Sequence, residues 1–396
     1  PRSLLESRTF DSPDGRHVLG WSGGSSGVYD MTVTPPRFYG LPRPGLEELA
    51  EHRPVVADTL RGRESYYEFR ASIGAFQQED GRIWFGTSFY DGEGLIGVGA
   101  AGYFDTHATA YHLFYDGAEL GKGWLACLAT SPDLRTWERQ GTVFEFGEEG
   151  KPDSRTATSP WFIRDAALWH AFYVGCEQTS PPPDCVPSCP YVTCKAEADE
   201  LRGPWRKRYD VVAVSADPGT YRGETASPGF LFRHGGLVWM FFSAAEGEIG
   251  GGLARFKRSL GMAHAPHPDG PWTVLDEPVL PMEEQIENSS LYYEEANQTW
   301  FLFTNHIGIN DLGQEYTDAV WVYWSDDPTR WSPERKAVVL DGENCSWSQE
   351  CVGMPTVVRV GDRLAMLYDG PGGDSISHMG RDIGLAWLEL PLTPPV

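Results

Sequence analysis

The sequence predicts an all-β fold, a five-bladed β-propeller whose blades each hold about four antiparallel strands. Three observations carry this reading. A sixteen-residue unit recurs down the 396-residue chain, its copies are evenly spaced, and a third strand with a tryptophan signature follows it. The clearest copies are GFLFRHGGLVWMFFSA from Gly229, SLYYEEANQTWFLFTN from Ser290 and TVVRVGDRLAMLYDGP from Thr356. WFIRDAALWHAFYVGC from Trp161 and GYFDTHATAYHLFYDG from Gly102 follow the same plan. Each reads as a hairpin, two apolar strands joined by a Gly, Asn or Asp turn.

The five starts lie 59, 68, 61 and 66 residues apart, which is room for one four-stranded blade per interval. The third strands end in SPDLRTW, GPW and SDDPTRW, with Ser131 to Trp137 and Ser325 to Trp331 repeating one six-residue step. A further copy, GAFQQEDGRIWFGTSF from Gly74, starts only 28 residues before Gly102. Four strands do not fit there. Five blades are therefore favoured, with the Gly74 hairpin sharing or elaborating the first; six blades remain the alternative. The last unit, ending at GLAWLELPL, shows three strands, so an N-terminal strand is expected to close the ring, with Arg16 to Gly24 the candidate. The expected organisation is one propeller domain over 1–396. Residues 1–70 supply the closing strand and a loop-rich extension, with one short helix at most around GLEELAEH, and 71–396 supply the blades.

Composition narrows the function. Asp and Glu number 56 against 32 Lys and Arg, a formal charge of −24. Such a chain repels phosphate backbones, so nucleic acid is excluded as a partner. No apolar run reaches the ~20 residues of a membrane helix, so no membrane insertion is expected. Four of the seven cysteines (Cys176, Cys185, Cys189, Cys194) crowd one Pro-rich loop, and Cys345 and Cys351 form a close pair. The reading is disulfides and a secreted or periplasmic protein, with reduced loop thiols as the alternative; Cys127 reads as a buried free thiol. No nucleotide-binding or zinc-protease motif occurs, so no cofactor is required; a structural calcium in the channel is compatible with the sequence.

In a propeller the innermost strands converge on one funnel, so acids at their mouths can meet. Glu224 stands five positions before Gly229, and Glu287 three before Ser290. The place of Glu287 is taken by Thr158, Gly99 and Gly353 in other copies. Two facing carboxylates are what glycosidic cleavage needs, one to protonate the leaving oxygen and one to activate water or attack the anomeric carbon. Asp30 and Glu68 are further candidates for the base. Arg222, His306, His378 and Arg381 are candidate substrate-binding groups. Trp161 and Tyr292 are candidate funnel aromatics, whereas Trp84, Trp137, Trp239, Trp300 and Trp331 fall at packing positions. Asp165 reads as a turn residue and Asp153 as marginal.

The repeated hairpins with SPDLRTW, GPW and SDDPTRW resemble the five-bladed propeller glycoside hydrolases, the broad group of families 43, 62, 117, 130, 32 and 68. The resemblance covers roughly residues 70 to 391. ETASPGFLF resembles the family 43 segment that holds the general acid, with longer spacing; ENSSLYY keeps the spacing one blade later. The family 32 sequence WMNDPNG, an RDP triplet and the N-terminal Asp-Pro of family 43 are all absent, so the base is not carried over. The resemblance implies hydrolysis of a neutral oligo- or polysaccharide, with a furanoside or an arabinose- or xylose-containing glycan as the expected kind. It makes Glu224 the acid and Glu287 the base, the nucleophile or a second acid-site carboxylate. The alternatives are a glycoside phosphorylase drawing on Arg155, Arg222 and Arg381, and a non-catalytic glycan-binding propeller.

Overall fold

A computed structural model describes residues 111–394 apart from 120, 135, 181–184, 251–252, 311–313, 346 and 379–380, and before them the backbone of eight strands. Among the described residues there is no α-helix; the one helical turn is the 3₁₀ segment Met282–Glu284. None is long and apolar enough to cross a membrane.

Four-stranded antiparallel units follow one another along the chain. The first contains Leu95–Gly102, Tyr111–Glu119, Gly123–Ser131 and Glu138–Thr142. The second contains Thr156–Asp165, Leu168–Cys176, Val192–Ala198 and Arg206–Lys207. It joins the first through a short parallel bridge at Trp124 and Leu125. The third runs Thr225–His234, Leu237–Gly250, Leu253–Ala265 and Thr273–Val274. The fourth runs Ile286–Glu294, Thr299–Ile309, Glu315–Ser325 and Lys336–Asp341. The fifth contains Gly353–Val360, Arg363–Gly370 and Asp382–Glu389.

Its fourth strand is Ser65–Tyr67, which pairs with Ala386–Leu388. The N-terminal segment does complete the last sheet, but not with the residues expected. His17–Ser22, inside the expected Arg16 to Gly24 stretch, instead pairs with Phe10–Asp11 and Ser25–Asp30, and Arg37–Gly40 adds to form a separate sheet. Among the described residues the Gly74 hairpin is likewise a sheet of its own, with Phe76–Gln77 paired to Ile83–Trp84. The expected helix near GLEELAEH lies outside the described residues.

Five apolar clusters join the sheets in turn. Phe114, Phe162 and Tyr173 belong to the one between the first and second sheets. Trp161, Phe172, Met240 and Phe242 form the next, and Phe241, Leu260, Leu291 and Leu302 the one after. Phe303, Val322, Leu364 and Met366 join the fourth sheet to the fifth. Leu113, Tyr115, Leu367 and Leu385 join the fifth back to the first. The second strand of each sheet is thus apolar on both faces, since neighbouring sheets cover it on both sides. That is why runs such as WMFFSA and LAMLYDG are solid rather than alternating.

Such close stacking fixes the glycines where rings cross the sheet. A Cβ on Gly261 would lie 2.1 Å from the Phe242 ring of the paired strand, and one on Gly384 would lie 2.3 Å from Tyr368. Gly261→Ala is expected to overpack this interface and cost about 1–3 kcal/mol, read as a lowered denaturant midpoint with an unchanged slope.

Candidate active site

The innermost strands carry one repeated irregularity. A register shift interrupts the ladder at Gly97/Gly99, Thr158/Trp161, Pro228/Leu231, Glu287/Ser290 and Gly353/Thr356. At three of these bulges a non-glycine residue takes positive φ, Ser159 (49°), Asn288 (58°) and Met354 (51°). A bulge frees one N–H and re-aims the adjacent side chains. The freed N–H crosses to the preceding sheet each time. Ser159 N–H donates to Asp116 Oδ1 (2.8 Å), Asn288 N–H to Ser243 Oγ (2.9 Å) and Met354 N–H to Asn305 Oδ1 (3.3 Å).

These bulges surround a cavity of about 300 Å³. Its walls carry Asp116, Thr158 and Ser159 from the first two sheets, Ser227 and Ser243 from the third, and Glu287 and Asn288 from the fourth. Asp369, His378 and Arg381 come from the fifth unit, Arg258 from the third, and Pro187 and Tyr191 from the Cys-rich loop.

Glu287 is the accessible acid here. Its side chain is 24% exposed, and Oε2 accepts from Arg258 Nη1 at 3.1 Å. Arg258 also donates to Glu315 Oε2 from Nη2 (2.7 Å) and Nε (3.1 Å). Burial opposes its charge, but Glu287 and Glu315 more than offset that and hold the guanidinium ionised.

Two more carboxylates belong to the wall but are almost closed to solvent. Asp116 is buried and accepts from Thr158 Oγ1, Ser159 N–H and Ser159 Oγ. Burial raises its pKa against those hydrogen bonds. Asp369 is fully buried and its Oδ1 accepts from Arg381 Nη1 at 3.0 Å. Burial raises its pKa too; Arg381 opposes this, while the Asp116 and Glu287 carboxylates add to it. Arg381 also donates to Thr317 Oγ1 (3.0 Å), Ser377 O (3.2 Å) and Cys351 Sγ. Three acids and two arginines thus share one low-dielectric pit.

His378 and Arg381 lie where the sequence suggested, at the cavity. His378 is open to the cavity yet ringed by protein, and desolvation, then Arg381 and Arg258, lower its pKa to about 4. It is therefore a neutral donor or acceptor near neutral pH. Arg381 is committed to Asp369, so it braces the wall rather than reaching for substrate.

Other candidates stand elsewhere. Glu224 does not line the cavity. Ser227 pairs with Ser243 as Glu287 pairs with Asn305, so Ser227 holds the place of Glu287 and Glu224 sits three residues further along, about 10 Å of strand. It lies against Gly247, and its carbonyl accepts from Tyr191 N–H. Arg222 is ion-paired with Asp217 (2.7 Å) in a turn before the sheet. His306 Nδ1 is 2.6 Å from Asp318 and its ring stacks on Trp321 at 4.2 Å, so it does not line the cavity. Trp161 is a core residue packed edge-on to Phe230, and Tyr292 donates to Glu294 beside the core. Apolar packing claims both rings. Asp30 ends a strand of the N-terminal sheet, its side chain outside the described residues, as is Glu68 entirely.

The expected disulfides do not form: all seven cysteines are thiols. Cys176 donates to Thr156 Oγ1 and Gln178 O, and Cys345 packs near Tyr368. Groups spaced to hold a metal, among the described residues, share His170 and lie outside this cavity.

His170 itself yields a pH prediction. It is buried, and desolvation, then Lys195, lower its pKa to about 4 from 6.5. Its folded pKa is below the unfolded value, so stability is lost as pH falls from about 6.5 to about 4. The loss attributable to His170 is on the order of 2 kcal/mol; urea titrations at the two pH values, with His170→Gln flattening the difference, check it.

No family model matches the chain, and no curated protein matches it. Solved structures do. A structure described as a glycoside hydrolase aligns with a TM-score of 0.55 at 14% identity, covering 76% of this chain and 93% of that one. A family 117 glycoside hydrolase produced by the marine bacterium Zobellia galactanivorans gives 0.52 at 14%, covering 84% and 92%. An exo-1,5-alpha-L-arabinanase from a bovine ruminal metagenomic library gives 0.51 at 10%, covering 74% and 93%. The chain therefore has the fold of the β-propeller glycoside hydrolases.

Proposed function

We propose that this protein is a glycoside hydrolase whose five four-stranded units close as the blades of a propeller around the cavity of Glu287. The observation that carries the reading is the meeting of Glu287, Asp369 and Asp116, from three different sheets, at one pit. Carboxylates are costly to crowd unless their coupling is used, and coupled acids set apart in pKa are the equipment of glycosidic cleavage.

Glu287 is the group that touches substrate. Asp116 and Asp369 are too buried to reach a sugar; their role is to set the field at the reacting carbon, where oxocarbenium character develops. The partner carboxylate is proposed to be Asp30 or Glu68, brought to the cavity mouth by the N-terminal segment. Glu224 belongs to a more distant level of its sheet and takes no part in the chemistry at the pit. His378 and Asn288 offer hydrogen bonds to sugar hydroxyls.

The substrate class is proposed as a neutral glycan containing arabinose or xylose, since a neighbour in fold is described as an exo-1,5-alpha-L-arabinanase. A secreted or periplasmic setting, where such polymers are met, goes with it. Phosphorolysis finds less support. The two arginines at the cavity are committed to Glu287, Glu315 and Asp369, and Arg155 and Arg222 do not line it.

The test is hydrolysis of aryl α-L-arabinofuranosides, β-D-xylosides and their oligosaccharides in phosphate-free buffer. Product from the native chain and none from Glu287→Gln supports the reading. Turnover that persists in Glu287→Gln, or that requires phosphate, overturns it.

A further inference from the structure

A second cavity, of about 570 Å³, shares no lining residue with the first. It opens between the outer edges of the first and second sheets, where the segment after Glu138–Thr142 faces Arg206–Lys207 and the residues that follow. Its size is within the range of small-ligand sites. Three features mark it as built.

The first is Asp153, marginal from sequence and fully buried in the structure. Its carboxylate accepts from Tyr173 Oη (2.7 Å), Lys207 Nζ (2.6 Å) and Tyr209 Oη (3.1 Å). A buried charge is tolerated only when so satisfied. Two of the three donors, Lys207 and Tyr209, line the cavity, so Asp153 holds that wall in place. Lys207 also donates to Glu145 O.

The second feature is aromatic. Phe144, Phe146, Trp205 and Tyr209 line the cavity, and Tyr209 is 39% exposed, a large ring left in contact with solvent. Lys151 Nζ stands 4.9 Å from its centroid. The third is an unmet donor: the buried indole N–H of Trp205 has no acceptor among the described residues. Buried indole donors ordinarily find one.

The charges around the rim, Lys151 and Lys207 against Glu145 and Glu148, nearly cancel. That disfavours a phosphate, a polyanion or a cation. Ring faces beside fixed polar groups suit a molecule with an apolar face and hydroxyl edges, which is a sugar ring. We propose that this cavity is a second saccharide-binding subsite, gripping a distant part of the same glycan that the Glu287 cavity cleaves. Its substrate class rests on the glycosidase reading. Two linked contacts on one polymer raise retention well beyond either alone.

The probe is retardation in native gels cast with linear arabinan, xylan or galactan, using Lys151→Ala/Tyr209→Ala and a Tyr209→Phe control. Lys151 and Tyr209 sit at the rim, but Tyr209 also donates to Asp153, so thermal midpoints and hydrolysis of a short aryl glycoside check the fold, and Tyr209→Phe separates the lost hydrogen bond from the lost ring. The double variant is expected to lose polymer affinity about tenfold or more, with kcat/KM on the aryl glycoside unchanged. A double variant retarded as strongly as the native chain, or a native chain retarded in none of the gels, overturns the subsite. Failure of the glycosidase reading shows separately, as no release of sugar from any substrate.

Discussion

Glu287→Gln lowers kcat on an activated aryl glycoside by roughly 10³-fold or more, while Glu224→Gln stays within about tenfold of the native enzyme. The two substitutions are alike in size and chemistry, so the contrast isolates position. Glu287 sits on a bulge that turns it into the pit beside Arg258; Glu224 stands three residues before the corresponding place in its own sheet, against Gly247. Glutamine preserves the volume and a hydrogen bond to Arg258 but neither gives up a proton nor attacks as an anion. Steady-state kinetics on both variants, with circular dichroism to show an intact fold, make the comparison. Equal losses at the two positions, or no loss at Glu287, would move the chemistry elsewhere in the fold.

Most of the architecture was legible because it repeats. Hairpin spacing predicted the sheets, and strands apolar on both faces marked where they stack. The level of the acids was harder to read. Aligning the third unit on Gly229 ignored the turn, which spans 235–236 in the third unit and 295–298 in the fourth; Ser227, paired with Ser243 as Glu287 is with Asn305, takes the place of Glu287. A bulge adds a residue without any residue type that announces it; Ser159, Asn288 and Met354 take positive φ there without glycine.

Asp116 and Asp369 were missed for another reason. Both stand at the end of the hairpin rather than before it, in FYDG and LYDG, a place where the copies from Trp161, Gly229 and Ser290 carry no acid. The paired place is Ser243 in the third sheet and Asn305 in the fourth. Those residues and Asp116 accept a bulge N–H from the next sheet, a task that a neutral side chain performs as well. Two aspartates at a position that needs only an acceptor are therefore a signal of chemistry. It is readable only once the position's structural duty is known. Tyr292 and Trp161 failed in the opposite sense: rings plausible for a sugar were already needed by the core.

Arg258 gives the second large effect, because it is the cation that Glu287 and Glu315 share. Arg258→Met leaves two carboxylates without their shared cation and releases Glu287 from the position in which Arg258 holds it, so kcat/KM on an activated aryl glycoside is expected to fall by about 10²-fold. Stability falls as well, by about 2–3 kcal/mol at pH 7, less than for a fully buried pair because both carboxylates keep some solvent contact. Arg258→Lys keeps the charge but not the forked geometry that reaches both acids, so its kcat/KM should lie between those of the native chain and Arg258→Met. If Arg258→Met loses stability while kcat/KM stays at the native value, the guanidinium is only a strut between sheets and the chemistry does not depend on how Glu287 is held.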